Sequence, residues 1–236
     1  MNLICVSTGS QNGNCYLLKS GDGHYIILDC GAKYTWLQRA CNHMVSEIDF
    51  ALVTHSHKDH SICIPHVLED AIDVYGPNEV SDVYAGVKTL REREIFRHMG
   101  WIVLPFAVPH THNNGEQCQN YAYLIIKDNQ CLLYMTDWMY CRYNMQRFNI
   151  NHFLIAVNYT ELDEEADGNI RHVAKGHSSL DTALEFLKTS AVDGQCRSII
   201  ACHLSTRNAD PVLIQKTLST IAPTIIAEKG NTYELH

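Results

Sequence analysis

Three histidines and an aspartate fall within Thr54-His55-Ser56-His57-Lys58-Asp59-His60. Residues two apart in an extended chain point to the same side, so His55 and His57 can share one cation. A turn at Lys58 would then swing Asp59 and His60 toward a second cation close by. Imidazole and carboxylate ligands suit zinc, and also manganese or iron. Each such ion takes about three protein ligands and a water, so one motif cannot complete two positions. The remaining ligands must come from elsewhere in the chain.

Later apolar runs end in suitable residues. Val108-Pro109-His110-Thr111-His112 follows an apolar segment, and either histidine could complete the first position; His110 is preferred because it is nearer the strand end. Leu133-Tyr134-Met135-Thr136-Asp137 ends in a carboxylate. Asp137 is placed to bridge two ions, although aspartate there could simply cap a helix. Ile199-Ile200-Ala201-Cys202-His203 repeats the pattern and offers His203 to the second position. His177, in Lys175-Gly176-His177-Ser178, opens a helix, where backbone N–H groups favour anions. It could bind a phosphate or protonate a leaving group, or simply sit in solvent. Asp29 ends Tyr25-Ile26-Ile27-Leu28 and either orients ligands or forms a turn with Cys30-Gly31. His24, His43, His66, His98, His152 and His172 have no such context and read as structural or exposed.

The elements that would carry these residues alternate between strand and helix. Strands are expected at 2–6, 14–19, 24–29, 49–54, 101–107, 119–127, 131–136, 153–157 and 198–202, with two more closing the chain. Asp128-Asn129 is a hairpin signal. Helices are expected at 35–45, 61–69, 80–98, 138–146, 178–189 and 210–220. Arg91-Glu92-Arg93-Glu94 alternates in sign and reads as a solvated face of the long helix at 80–98. The mixture suits two sheets packed together and covered by helices in a single domain, 1–236.

The bulk numbers agree with a globular protein. Of 236 residues, 46% are hydrophobic and 19% charged, which argues against disorder. The net charge of −8 counts against a grip on long DNA or RNA. Two divalent ions would nevertheless create a local anion site. None of the ten cysteines forms a Cys-x-x-Cys pair, and several lie in apolar runs, as buried thiols in a reducing compartment would. No apolar run approaches the ~20 residues that span a bilayer, so no membrane partner is expected and the cytoplasm is the expected location.

His55-x-His57-x-Asp59-His60, followed in order by His110, Asp137 and His203, resembles the metallo-β-lactamase superfamily. The steps Gly9-Ser10-x-x-Gly13-Asn14-Cys15-Tyr16, Leu28-Asp29-Cys30-Gly31, Gly176-His177-Ser178 and Cys202-His203-Leu204-Ser205 resemble a bacterial and phage branch of it. That branch includes DNA exonuclease-like proteins and phage anti-Pycsar cyclic-nucleotide phosphodiesterases. The resemblance runs from about residue 3 to about residue 220. It implies an α/β protein, a four-layer αββα sandwich with two divalent ions, zinc first and manganese as the alternative. His55, His57 and His110 would hold one ion and Asp59, His60 and His203 the other, with Asp137 between them. It also implies phosphodiester hydrolysis by an activated hydroxide, with a cyclic mononucleotide or DNA as substrate and a homodimer as the assembly. Asp59 would orient the water and His177 serve the leaving oxygen. The chain has no inserted arm or β-CASP domain, which counts against structured RNA. Competing functions are a hydrolase of carbonyl substrates (lactone, thioester or β-lactam) and a non-catalytic or redox relative. A flavodiiron-type redox relative would need a carboxylate where His57 stands, and a non-catalytic module would have lost ligands, none of which is lost here.

Overall fold

The structure is a computed structural model and describes residues 1–9, 11–161 and 176–236. Ser10, His172 and Lys175, which entered the sequence reading, lie outside the described residues.

Near-continuous burial in the first strands, with successive side chains facing opposite cores, sets up the architecture. Strands β1 (Asn2–Ser7), β2 (Cys15–Lys19), β3 (Tyr25–Leu28), β4 (Ile48–Leu52), β5 (Val74–Gly76) and β6 (Lys88–Thr89) join one sheet, and the late strand β16 (Thr232–Glu234) closes its other edge in the order β16-β1-β2-β3-β4-β5-β6. Leu3, Cys5, Tyr16, Leu18, Ile26, Leu28, Phe50 and Leu52 face one core. Their neighbours Cys15, Leu17, Tyr25, Ile27, Ala51 and Val53 face the other. This is the period of two expected of strands buried on both sides.

The outer core is closed by helices α1 (Tyr34–Ala40), α3 (Ile64–Glu69) and α4 (Asn78–Val83), through Leu37, Ile64, Val67 and Val80. The inner core is shared with a second sheet, built from β7 (Phe96–His98), β8 (Trp101–Ala107), β11 (Tyr121–Lys127), β12 (Gln130–Met135), β13 (His152–Ala156), β14 (Ser198–Cys202) and β15 (Thr224–Ile226), in the order β15-β14-β13-β12-β11-β8-β7. Helices α5 (Leu180–Ser190) and α6 (Pro211–Leu218) pack on this part of the core through Ala183, Leu187, Ile214 and Leu218. A short hairpin, β9 (His110–Thr111) and β10 (Gln117–Cys118), stands apart from both sheets. The α/β sandwich of two helix-covered sheets is as the sequence implied.

Three helical expectations fail for local reasons. The helix expected over 80–98 stops at Val83. Gly86 lies at φ 98° and Arg93 at φ 63°, and the chain turns to form β6 and β7. Arg91 and Glu94 remain solvated, on a turn. The helix expected over 138–146 is absent, because Met139 donates its N–H to Pro109 O and the Trp138 ring is buried with its indole N–H on Ala156 O. Only a 3-10 turn, Gln146–Phe148, forms there. The helix expected over 35–45 ends at Ala40, with Asn42 and His43 at positive φ. The Asp128-Asn129 turn is as expected, with both residues at positive φ. All ten cysteines are free. Among the described residues no helix is long and apolar enough to cross a membrane.

Candidate metal centre

Seven side chains meet where strands of both sheets end. The first four come from the turn after β4, in which His57 precedes the short helix α2 (Lys58–Ser61). Asp137 follows β12, His203 follows β14 and His110 opens the hairpin. Asp29, Asp137 and His203 all sit in the left-handed region, at φ 60°, 48° and 54°. That conformation is costly for residues other than glycine, and here it turns each side chain off its strand end toward the cluster.

The seven divide into two sets that share Asp137. His55, His57, His110 and Asp137 place ligand atoms together, and so do Asp59, His60, Asp137 and His203. In the first set His57 Nδ1 lies 3.0 Å from His55 Nε2 and 3.2 Å from His110 Nε2. Asp137 Oδ2 lies 3.5 and 3.7 Å from His55 and His110. In the second set His60 Nε2 is 3.4 Å from Asp59 Oδ2 and 3.2 Å from Asp137 Oδ2. His203 Nε2 is 3.1 Å from Asp137 Oδ1 and 3.5 Å from Asp59 Oδ2. A tetrahedron with zinc–ligand bonds of ~2.0–2.1 Å has edges of about 3.3–3.4 Å, so both sets have the right span. Asp137 Oδ1 and His203 Nε2 are buried and have no hydrogen-bond partner among the described residues. Nearly all buried polar atoms find partners, so these two mark a cluster shaped for cations. The His/Asp cluster is able to bind metal ions.

The outward atoms of the rings are held by the scaffold. His60 Nδ1 lies 2.7 Å from Asp29 Oδ2, and His110 Nδ1 lies 2.6 Å from Gly176 O. His55 Nδ1 lies 3.0 Å from Thr54 Oγ1, whose hydroxyl reaches both Asp29 oxygens. Asp29 also accepts from Thr54 N and the Tyr134 hydroxyl. Of the two readings of Asp29, the contact with His60 is the one the structure shows; Cys30 N and Gly31 N donate to His60 O and Asn14 O and form no turn with it. Asn14 donates its N–H to Asp59 O at 2.7 Å, and its side-chain amide lies 3.1 Å from His60 Nε2. A Cβ on Gly31 would lie 1.7 Å from Asp59 O, so only glycine lets the strand end pass beneath the motif.

Electrostatics separate the sets. Burial pushes His55 well below the usual histidine range, and His60 and His110 add to it. Burial likewise lowers His57 and takes His110 down to about 4. Burial also opposes charge on His60 and His203, but it is outweighed. Asp59, Asp29 and Asp137 hold His60 well above the ordinary value, and Asp137 and Asp59 raise His203. Asp137 is buried, yet His203, His177 and His60 keep it well below the carboxylate range.

The structure brings His177 to the rim, where it is 15% exposed and its Nδ1 lies 3.3 Å from Asp137 Oδ1. The adjoining Ser178 hydroxyl donates to Ala156 O, and Ser179 caps α5 by accepting from Thr182 N. His112, the alternative to His110, lies one step outside the first set. The supporting residues Asn14, Thr54 and Tyr134 were not identified as site residues from sequence. Only Asn14 had a local signal, its place behind Gly13.

The sequence matches the Beta-lactamase superfamily domain model over residues 24–196. Against curated proteins it finds no match. Among solved structures, the metallo-β-lactamase fold protein YhfI from Bacillus subtilis is similar at TM-score 0.76 and 15% identity, with 98% of each chain covered. Unliganded yeast PDE1 is similar at TM-score 0.77 and 13% identity, again with 98% of each chain covered. A diphosphatase from the PhnP family is similar at TM-score 0.68 and 15% identity, covering 100% of this chain and 98% of its own. At these identities the likeness speaks to fold, and the matched model spans most of the chain. The chain belongs to the β-lactamase superfamily and has the metallo-β-lactamase fold.

Proposed function

We propose that this protein is a metal-dependent phosphodiesterase that hydrolyses a nucleotide phosphodiester bond, in a cyclic mononucleotide or in DNA. In this reading His55, His57 and His110 hold one divalent ion, Asp59, His60 and His203 hold a second, and Asp137 lies between them. Zinc is the expected metal from the imidazole and carboxylate donors, with manganese as the alternative. The single observation that carries the proposal is the pair of four-residue sets meeting at one buried carboxylate, Asp137. When bound, two such ions supply Lewis acidity toward a phosphoryl oxygen and an acidified water.

The chain's own groups account for the rest. Asp59 is 26% exposed, the most open of the carboxylates here, and its anionic oxygen can accept a hydrogen bond from an attacking water and so orient it. His177 stands at the rim over Asp137 and can donate to the leaving oxygen. The buried histidines and the walls of both sheets exclude bulk water and keep donor positions fixed. A neighbour described as a diphosphatase supports phosphorus as the reacting centre, as does the resemblance to phage and bacterial nucleotide-cleaving relatives. The net charge of −8 favours the small cyclic substrate over long DNA. A homodimer belongs to the same reading and is checked by light scattering.

The test is hydrolysis of bis-p-nitrophenyl phosphate with and without chelator, followed by labelled cyclic nucleotides beside single- and double-stranded DNA. Chelator-sensitive cleavage is expected. Turnover of nitrocefin or a thioester, with every phosphodiester untouched, would move the assignment to carbonyl hydrolysis.

A further inference from the structure

Each of the five histidines of the cluster has a ring nitrogen among the ligand atoms and a second that must be satisfied elsewhere. His55, His60 and His110 each present Nε2 inward and lodge Nδ1 on a hydroxyl, a carboxylate or a carbonyl. His57 is turned the other way. Its Nδ1 lies beside His55 Nε2 and His110 Nε2, and its Nε2 points outward, 3.0 Å from His112 Nδ1. His112 Nε2 in turn lies 3.1 Å from Glu79 Oε1.

The donors and acceptors along this line allow one consistent assignment. A ligating Nδ1 must be bare, so the His57 proton resides on Nε2. It donates to His112 Nδ1, whose ring must then carry its own proton on Nε2 and donate it to Glu79. The carboxylate is fixed in turn. Glu79 Oε2 accepts from Gln119 N at 2.8 Å, Glu79 N donates to Gln119 Oε1 at 3.1 Å, and Oε1 accepts from the Ser56 hydroxyl and from Cys118 Sγ at 3.7 Å. The line ties three separate segments together: the motif at 55–57, the first turn of α4 and the β9–β10 hairpin. His57 is only half-buried, so without His112 its outer nitrogen would meet water and the ring would lose its fixed tautomer.

We propose that His112 and Glu79 are positioning residues, a hydrogen-bonded histidine–carboxylate chain that holds the His57 ring with its Nδ1 bare toward the first ion. The inference rests on the two-ion reading above. A rival exists on the same atoms, since His57, His112 and Cys118 also lie close enough to hold a cation. Cys118 Sγ is instead placed as a donor to Glu79 Oε1 at 3.7 Å, the same oxygen that His112 Nε2 meets.

Two measurements test it on the full chain. Proton–nitrogen NMR of the metal-free protein reads the His57 tautomer, and a chromophoric chelator competed against zinc reads affinity at each position. His112→Ala should give a mixed His57 tautomer and weaken one of the two zinc positions by about 10–100-fold, leaving the other unchanged. His112→Asn, whose side-chain oxygen can replace Nδ1 as acceptor, should restore the single tautomer and most of the affinity. Glu79→Ala should follow His112→Ala in direction. An unchanged tautomer and unchanged zinc affinity in His112→Ala would overturn the chain while leaving the two-ion reading intact. A wild-type protein that takes up no zinc or manganese would overturn both. A third zinc equivalent that disappears in Cys118→Ser would replace the chain with a cation site.

Discussion

The two ligand sets are built from similar residues and behave differently. The first is three imidazoles around a shared carboxylate, and burial keeps those imidazoles neutral. The second has Asp59 besides Asp137, with Asp29 behind His60, and these charges hold His60 and His203 toward the protonated state. One set is therefore ready to donate lone pairs at neutral pH. The other is pushed by its carboxylates toward holding protons that a cation would displace. The difference lies in the number of carboxylates within reach, and desolvation decides only where none outweighs it.

Asp137 is the one residue common to both, and its removal should have the largest effect. Asp137→Ala is expected to lower phosphodiester turnover by at least ~10³-fold and to reduce bound metal, as read by kinetics and elemental analysis. Retained activity would show that the sets do not act as one centre. His110→Ala and His203→Ala should each remove about one equivalent of metal, from the first and second set respectively. Loss of both ions in either variant would mean that the sets cannot be distinguished.

The protonation contrast gives the next prediction. Carboxylates raise His60 and His203 while burial lowers the imidazoles of the first set, so filling the second set should release more protons, and affinity there should depend more steeply on pH than at the first set. Calorimetric titration of His110→Ala and His203→Ala in buffers of different ionisation enthalpy counts the protons. Equal release in the two variants would break the contrast. Asp29→Asn should weaken the second set by about 10–100-fold with a smaller change at the first, because Asp29 meets His60 directly and His55 only through Thr54.

An effect on folding rather than on metal binding is expected at His152, a buried histidine outside the cluster. Burial, helped by Arg197, lowers it to about 4. Between that value and ~6.5 the unfolded chain binds more protons than the folded one, so stability is full above ~6.5 and falls as pH drops toward 4, by ~3 kcal/mol in all. His152→Leu should flatten this slope in urea melts at pH 7 and 4.5. An unchanged slope would assign the acid sensitivity to the ligand histidines instead.

The amino-acid order by itself determined the motif at 55–60, because two-residue periodicity at a strand end is a local matter. It also determined the alternating strands and the strand-end positions of His110, Asp137 and His203, each marked by an apolar run. Other features depended on segments far apart in the chain. Nothing near Glu79 reveals that it meets His112 and Ser56, and the choice between His110 and His112 needed the hairpin in place. The stretch over 80–98 has apolar spacing compatible with a helix, yet Gly86 and the edges of two sheets turned it into short strands. Side-chain periodicity is fixed by backbone geometry within a few residues. The partner of a carboxylate, or the sheet that claims a segment, is fixed by packing and hydrogen bonds that exist only once distant strands have met.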